Sequence, residues 1–129
     1  MTPRAVKDIM TKKLVTFQPD MHVRAAIDSL LKHKISGAPV VDENGNLIGV
    51  LSEIDCMPTI IQDSYYSDSG GSVRDFMSTD VTTVSPEMGI VDLAELFLKK
   101  HFRRLPVVDN DMLVGQVSRR DVLKAIQST

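Results

Sequence analysis

The sequence predicts an α+β fold built from two like units, each running β-α-β-β-α. Three observations predict it. The chain repeats itself: at an offset of 67, Val6–Asp42 aligns with Val73–Asp109 without a gap. Each copy carries one apolar stripe at helical spacing. Each copy also closes on the same phrase, Leu47–Asp55 and Leu113–Asp121, reading apolar-apolar-Gly-x-apolar-Ser-x-x-Asp. Matched pairs include Asp8/Asp75, Met10/Met77, Thr16/Thr83, Pro19/Pro86 and Met21/Met88. Pro39-Val40-Val41-Asp42 recurs as Pro106-Val107-Val108-Asp109. One residue is then lost, and the offset becomes 66 for Gly49/Gly115, Ser52/Ser118 and Asp55/Asp121. The repeats divide the chain into a first unit, 1–62, a Ser/Asp/Gly-rich flexible linker, 63–72, and a second unit, 73–129.

The elements follow in order within each copy. A short opening segment ends at Met10 or Met77. A brief β-prone run comes next, Leu14–Phe17 or Val81–Val84. Pro19 and Pro86 then sit just ahead of a helix, where proline is tolerated. The first helix is expected to bury Val23, Ala26, Ile27, Leu30 and Leu31; the second, Ile90, Leu93, Ala94, Phe97 and Leu98. A hairpin follows. Its first copy turns through Asp42-Glu43-Asn44-Gly45, where Asn-Gly is a strong turn signal, and its second through the shorter Asp109-Asn110-Asp111. The closing helices begin after Ser52 and Ser118, each a hydroxyl at an N-cap with a carboxylate three residues on. Pro58 is expected to interrupt or kink the first of them. A unit of roughly 55 residues has little core of its own. The two are therefore expected to pack through their sheets about a pseudo-twofold axis.

Composition bounds the function. Apolar residues make up 43% and charged residues 25%, which fits a folded globular chain rather than a disordered one. A net charge of −2, no Trp and few aromatics argue against a nucleic-acid binder. The longest apolar runs fall short of the ~18 residues of a membrane span, and the N-terminus lacks a signal-peptide core. With one cysteine there is no internal disulfide, so a cytoplasmic location is expected. His22, His33 and His101 match no metal-ligand spacing. Cys56 beside Asp55 at a helix start is either a thiol of lowered pKa or a quiet buried side chain. With no nucleophile–base pair, P-loop lysine or Gly-x-Gly-x-x-Gly, the chain is not read as an enzyme.

Val-x-Asp-x-Met near each start, the proline ahead of the first helix, Pro-Val-Val-Asp and Gly-x-apolar-Ser-x-x-Asp together form a signature. In order, spacing and duplication the chain resembles a tandem pair of CBS (cystathionine-β-synthase) domains, a Bateman module, over residues 6–123. The resemblance implies a regulatory, energy-sensing module without a required cofactor. It implies adenosine-containing ligands, AMP, ADP, ATP or S-adenosylmethionine, in clefts between the two units. It also implies a disc-like homodimer and an unidentified effector protein. Carried over by position, one site combines Ser118 and Asp121 with Gln18, Val23, Ile35, Ser36 and Pro39. The other combines Ser52 and Asp55 with Ser85, Ile90, Phe102, Arg103, Arg104 and Pro106. Asp55 and Asp121 are expected to hold the riboses, the part an acidic residue plays in dinucleotide folds. Arg103 and Arg104 replace Ser36 and Gly37, so the Asp55 site is expected to prefer a phosphorylated nucleotide. Blander readings stand beside these. Ser-x-x-Asp is also a plain helix cap, Arg103-Arg104 suits a helix C-terminus, and Arg119-Arg120 suits a solvated helix face. The alternative for the whole chain is a ligand-free dimerisation or protein-interaction scaffold.

Overall fold

The computed structural model describes residues 3–66 and 70–128; of the expected linker, 67–69 lie outside the described residues. The fold is α+β with two small antiparallel sheets. Two compact units form, and their boundaries are not those of the repeats. The central unit is Val15–Val81; the other, here the C-terminal unit, joins Thr82 onward to the chain up to Leu14.

The central unit holds α1 (Val23–His33), β1 (Gly37–Val41), β2 (Leu47–Ser52), α2 (Met57–Tyr66) and α3 (Val73–Phe76). The C-terminal unit holds a 3₁₀ turn at Val6–Asp8, then α4 (Ile90–Lys100), β3 (Arg104–Asp109), β4 (Met112–Ser118) and α5 (Arg119–Gln127). Each has its own core, centred on Phe17, Val40 and Leu51 in one and on Leu93, Leu105 and Val117 in the other.

The unit boundaries follow from an exchange of opening segments. Met77-Ser78, from the start of the second repeat, lies along β2 of the first, with Val50 and Ser78 exchanging backbone bonds of 2.9 Å. Thr11 does the same with Gln116 of β4, at 2.8 and 2.9 Å. The docking repeats bond for bond at matched positions. Val6 N–H donates to Met88 O and Val73 N–H to Met21 O, both at 2.8 Å. Lys7 N–H donates to Pro86 O at 2.9 Å and Arg74 N–H to Pro19 O at 3.0 Å. The remaining edge of each sheet takes the brief β-prone run. Those runs are extended rather than full strands: each makes one parallel bridge, Phe17 to Val40 and Val84 to Val107.

The two glycines of the repeated phrase are explained by this docking. At Gly49 an added Cβ would stand 2.8 Å from both Met77 Sδ and the carbonyl oxygen of Ser78. At Gly115 it would stand 2.7 Å from Met10 Sδ and 3.1 Å from Thr11 O. Both hairpins form as expected. Gly45 takes φ 86°, while Asn110 and Asp111, at φ 49° and 69°, make a two-residue turn of the primed kind. The first turn is further tied by Asp42, whose carboxylate accepts from the N–H groups of Asn44 and Asn46, each at 2.9 Å.

Two sequence expectations are corrected. Leu31 and Leu98 are 69% and 76% exposed rather than buried. At 3.6 residues per turn they fall roughly 90° from the centre of the buried face set by the other four positions. Pro58 does not break the closing helix, since it occupies the first turn of α2, where its missing N–H costs nothing. The irregularity lies upstream, in a 3₁₀ turn at Ile54–Cys56.

Candidate functional site

The repeated corner joins a strand to a helical turn twice. Ser52 ends β2 and Ser118 ends β4, so each hydroxyl stands where the chain leaves the sheet. At the first corner Asp55 Oδ2 accepts from Ser52 N–H and from Ser52 Oγ–H, both at 2.9 Å. Asp55 N–H donates back to Ser52 Oγ at 3.4 Å. At the second, Asp121 Oδ2 accepts from Ser118 N–H at 2.8 Å, and Asp121 N–H donates to Ser118 Oγ at 3.2 Å. Capping is thus a real role of both motifs. The second corner starts a regular helix at once; the first passes through the 3₁₀ turn. The Ser52 hydroxyl commits its proton to Asp55, whereas Ser118 is bonded to Asp121 only as an acceptor.

Both aspartates are half-buried, and Oδ1 of each makes no hydrogen bond among the described residues. A carboxylate oxygen held in this way is oriented by its pinned neighbour and can accept two hydrogen bonds from a diol. The Cys56 thiol beside Asp55 is buried, and burial, then the charges of Asp55 and Glu53, push its pKa up. This overturns the lowered-pKa reading of that cysteine. Among the described residues no cluster of His, Cys, Asp and Glu is arranged to hold a metal ion. No helix there is long and apolar enough to cross a membrane.

The other expected residues divide by unit. In the central unit Ser36 adjoins the first corner: its carbonyl accepts from Glu53 N–H at 2.9 Å, and Gly37 pairs with Ser52. Ile35 packs on the core, Val23 and Pro39 are buried, and Gln18 is exposed. In the C-terminal unit Arg103 adjoins the second corner: its carbonyl accepts from Arg119 N–H at 3.2 Å, and Arg104 pairs with Ser118. Phe102 and Ile90 are half-buried against the core, Pro106 is buried, and Ser85 is exposed. Each corner therefore neighbours the 35–37 or 102–104 loop of its own repeat. Sequence reasoning missed this adjacency. Its signal was the hairpin, because a turn at 42–45 in antiparallel register sets residue 37 opposite residue 52.

The family model for the CBS domain matches this chain twice, over residues 6–61 and 73–128. The chain belongs to the CBS domain family. Among curated relatives, an uncharacterized protein of Methanocaldococcus jannaschii, MJ1426, is 32% identical over 152 aligned residues, covering 94% of this chain and 90% of its own length. An inosine-5'-monophosphate dehydrogenase of Aquifex aeolicus is 38% identical over 112 residues, covering 85% of this chain. This CBS pair spans only 22% of that enzyme's length. Among solved structures, CBSX2 in complex with AMP superposes with a TM-score of 0.84 at 31% identity, covering 98% of both chains. The CBS domain pair of MJ0100, in complex with 5'-methylthioadenosine and S-adenosyl-L-methionine, gives a TM-score of 0.76 at 26% identity. It covers 98% of each chain.

Proposed function

We propose that this CBS pair is a regulatory module that senses an adenosine-containing ligand: AMP, ADP, ATP or S-adenosylmethionine. The observation that carries the reading is the pair of half-buried aspartates, Asp55 and Asp121, each fixed through Oδ2 and open at Oδ1. An adenosine ribose presents two adjacent hydroxyls, and such an oxygen can accept from both. Complexes of CBSX2 with AMP and of MJ0100 with adenosine derivatives support this class of ligand. The family grouping is kept as part of the proposal: Asp121 and Ser118 act with Gln18, Val23, Ile35, Ser36 and Pro39, and Asp55 and Ser52 with Ser85, Ile90, Phe102, Arg103, Arg104 and Pro106. The guanidinium pair directs a phosphorylated nucleotide to the Asp55 site. The chain carries no catalysis of its own in this reading. It works as a cytoplasmic homodimer whose ligand-dependent conformation is read by an effector protein. A ligand shifts that conformation only through different affinities for its two states.

Thermal melting with AMP, ATP and S-adenosylmethionine tests the reading. A ligand at about 100 times its Kd adds ~2.7 kcal/mol to stability and raises the midpoint. Asp55→Asn with Asp121→Asn is expected to remove that shift, and Arg103→Ala with Arg104→Ala to remove the advantage of phosphorylated ligands in calorimetric titration. No shift with any of the three ligands would leave the ligand-free scaffold as the better account. Exposed apolar rows on the closing helices favour self-association in either case.

A further inference from the structure

Met10 and Met77 close the opening segments of the two repeats, and each sets its sulfur on a glycine of the strand it meets. Met77 Sδ lies 2.8 Å from where a Cβ on Gly49 would stand, and Met10 Sδ 2.7 Å from the same point on Gly115. Their Cγ atoms lie 3.2 and 3.1 Å from those points, so each thioether runs along its glycine. An unbranched, polarizable side chain suits that path. Both methionines occupy matched positions and both are half-buried, open in part to solvent. Upstream, Val6 and Val73 are fully buried. Downstream, residues 11–13 and 78–80 are exposed, so each methionine is the last apolar side chain before exposed chain. At that end the backbone adds one reciprocal pair of bonds: Ser78 with Val50, both 2.9 Å, and Thr11 with Gln116, at 2.8 and 2.9 Å.

A thioether differs from the other apolar side chains in one respect: a peroxide converts it to a polar sulfoxide. We propose that Met10 and Met77 are paired oxidation sites whose conversion releases the opening segments from β4 and β2. A sulfur lone pair takes one oxygen from the peroxide, the O–O bond breaks, and the other oxygen leaves as water with both hydrogens. The sulfur is oxidised by two electrons and the peroxide is reduced by two. The new oxygen is a hydrogen-bond acceptor. On the glycine side it meets the carbonyl oxygens of Ser78 and Thr11, which stand 2.8 and 3.1 Å from the same Cβ points. Two acceptors face each other there, and neither has a proton to share. Turning the sulfoxide oxygen toward water instead draws the sulfur off the strand. In both cases the apolar contact is lost and the segment keeps only its single pair of backbone bonds. Both repeats carry the arrangement, so one oxidant acts on both units. A methionine sulfoxide reductase reverses the change.

Hydrogen peroxide on the full-length chain tests the proposal, with peptide mass mapping to locate each sulfoxide. Met57 and Met112, 46% and 47% exposed, report that the oxidant has reached the protein. The expected result is conversion of Met10 and Met77 as well, and a thermal midpoint lowered by a few degrees. Met10 and Met77 that stay reduced once Met57 and Met112 are converted would overturn the proposal. So would an unchanged midpoint with all four converted. The double variant Met10→Leu, Met77→Leu keeps apolar side chains of similar volume and is expected to hold its midpoint in peroxide. A variant that loses as much as the parent would assign the effect to other methionines and overturn the proposal. Hydrogen–deuterium exchange on the parent needs no variant. The N–H groups of Val50, Ser78, Thr11 and Gln116 are expected to exchange about tenfold faster after oxidation and to recover after treatment with a methionine sulfoxide reductase. Exchange at those four groups that is indifferent to oxidation would overturn the release.

Discussion

Gly49 and Gly115 show how much one missing methyl group can decide. Neither glycine is needed for a turn; each is needed because an opening segment crosses it within van der Waals distance. Gly49→Ala is expected to destabilise the protein by about 1–3 kcal/mol, the usual range for overpacking. Gly115→Ala is expected to cost less. Its nearest contact is the flexible Met10 thioether, with backbone only at 3.1 Å, whereas Gly49 faces the Ser78 carbonyl at 2.8 Å. Denaturant melts of the two variants check the order. Asp8 gives a prediction in pH. The N–H groups of Arg4 and Ala5 donate to its carboxylate at 3.0 and 3.1 Å, and the charge of Lys7 adds to them. They hold its pKa below the ordinary 3.8. A depressed carboxylate contributes stability above its unfolded pKa and loses it as pH falls through the folded one. The stability difference between the parent and Asp8→Asn should therefore shrink below about pH 4, as followed by melts across pH. The Ser-x-x-Asp cap was legible from the residues alone, because its chemistry is local. The purpose of the glycine two positions before the last apolar residue of the phrase was not, because the atoms it makes room for lie in a distant stretch of chain.

The helices α1 and α4 were legible as elements, since four of five stripe positions in each point inward. The fifth failed for a geometric reason: a spacing of i+8 drifts off a narrow face, and exposed Leu31 and Leu98 lie at that margin. Both helices end on a non-glycine residue in the left-handed region, Lys34 at φ 55° and His101 at φ 57°. That conformation costs an L-residue roughly 1–2 kcal/mol, a cost glycine avoids. Lys34→Gly and His101→Gly are each expected to stabilise the protein by about 1 kcal/mol, raising the thermal midpoint by a few degrees. The β-prone runs were legible as extended chain but not as single bridges. Propensity describes a residue's backbone preference, while ladder length depends on how far the neighbouring edge runs alongside.

Across the whole chain, the duplication could be read at once, but the partner of each opening segment could not. Two near-identical sheets offer the same edge to Thr11 and to Ser78, so sequence similarity gives no reason to prefer the nearer or the farther one. The packing takes the farther sheet for Thr11 and the nearer, preceding one for Ser78. One result is a folding prediction. A fragment spanning 15–81 contains every hydrogen-bonded edge of the central unit and is expected to melt cooperatively by circular dichroism. A fragment spanning 1–62, which follows the repeat, lacks both α3 and the Met77-Ser78 stretch that lies along β2, and as a monomer is expected to melt broadly or not at all. At this size a lost edge and its buried Val73 are a large share of the available core.

That exchange has a further consequence for how such a molecule can come apart. A lone copy of the repeat, made as a separate polypeptide, would have a vacant place beside its own sheet and a leading stretch that fits the same vacancy in a sibling. Two siblings would satisfy each other by mutual loan, without any surface that the tandem chain does not already use. The covalent join between the copies is then a tether on an arrangement the halves are already shaped to find, and severing it should leave them clasped.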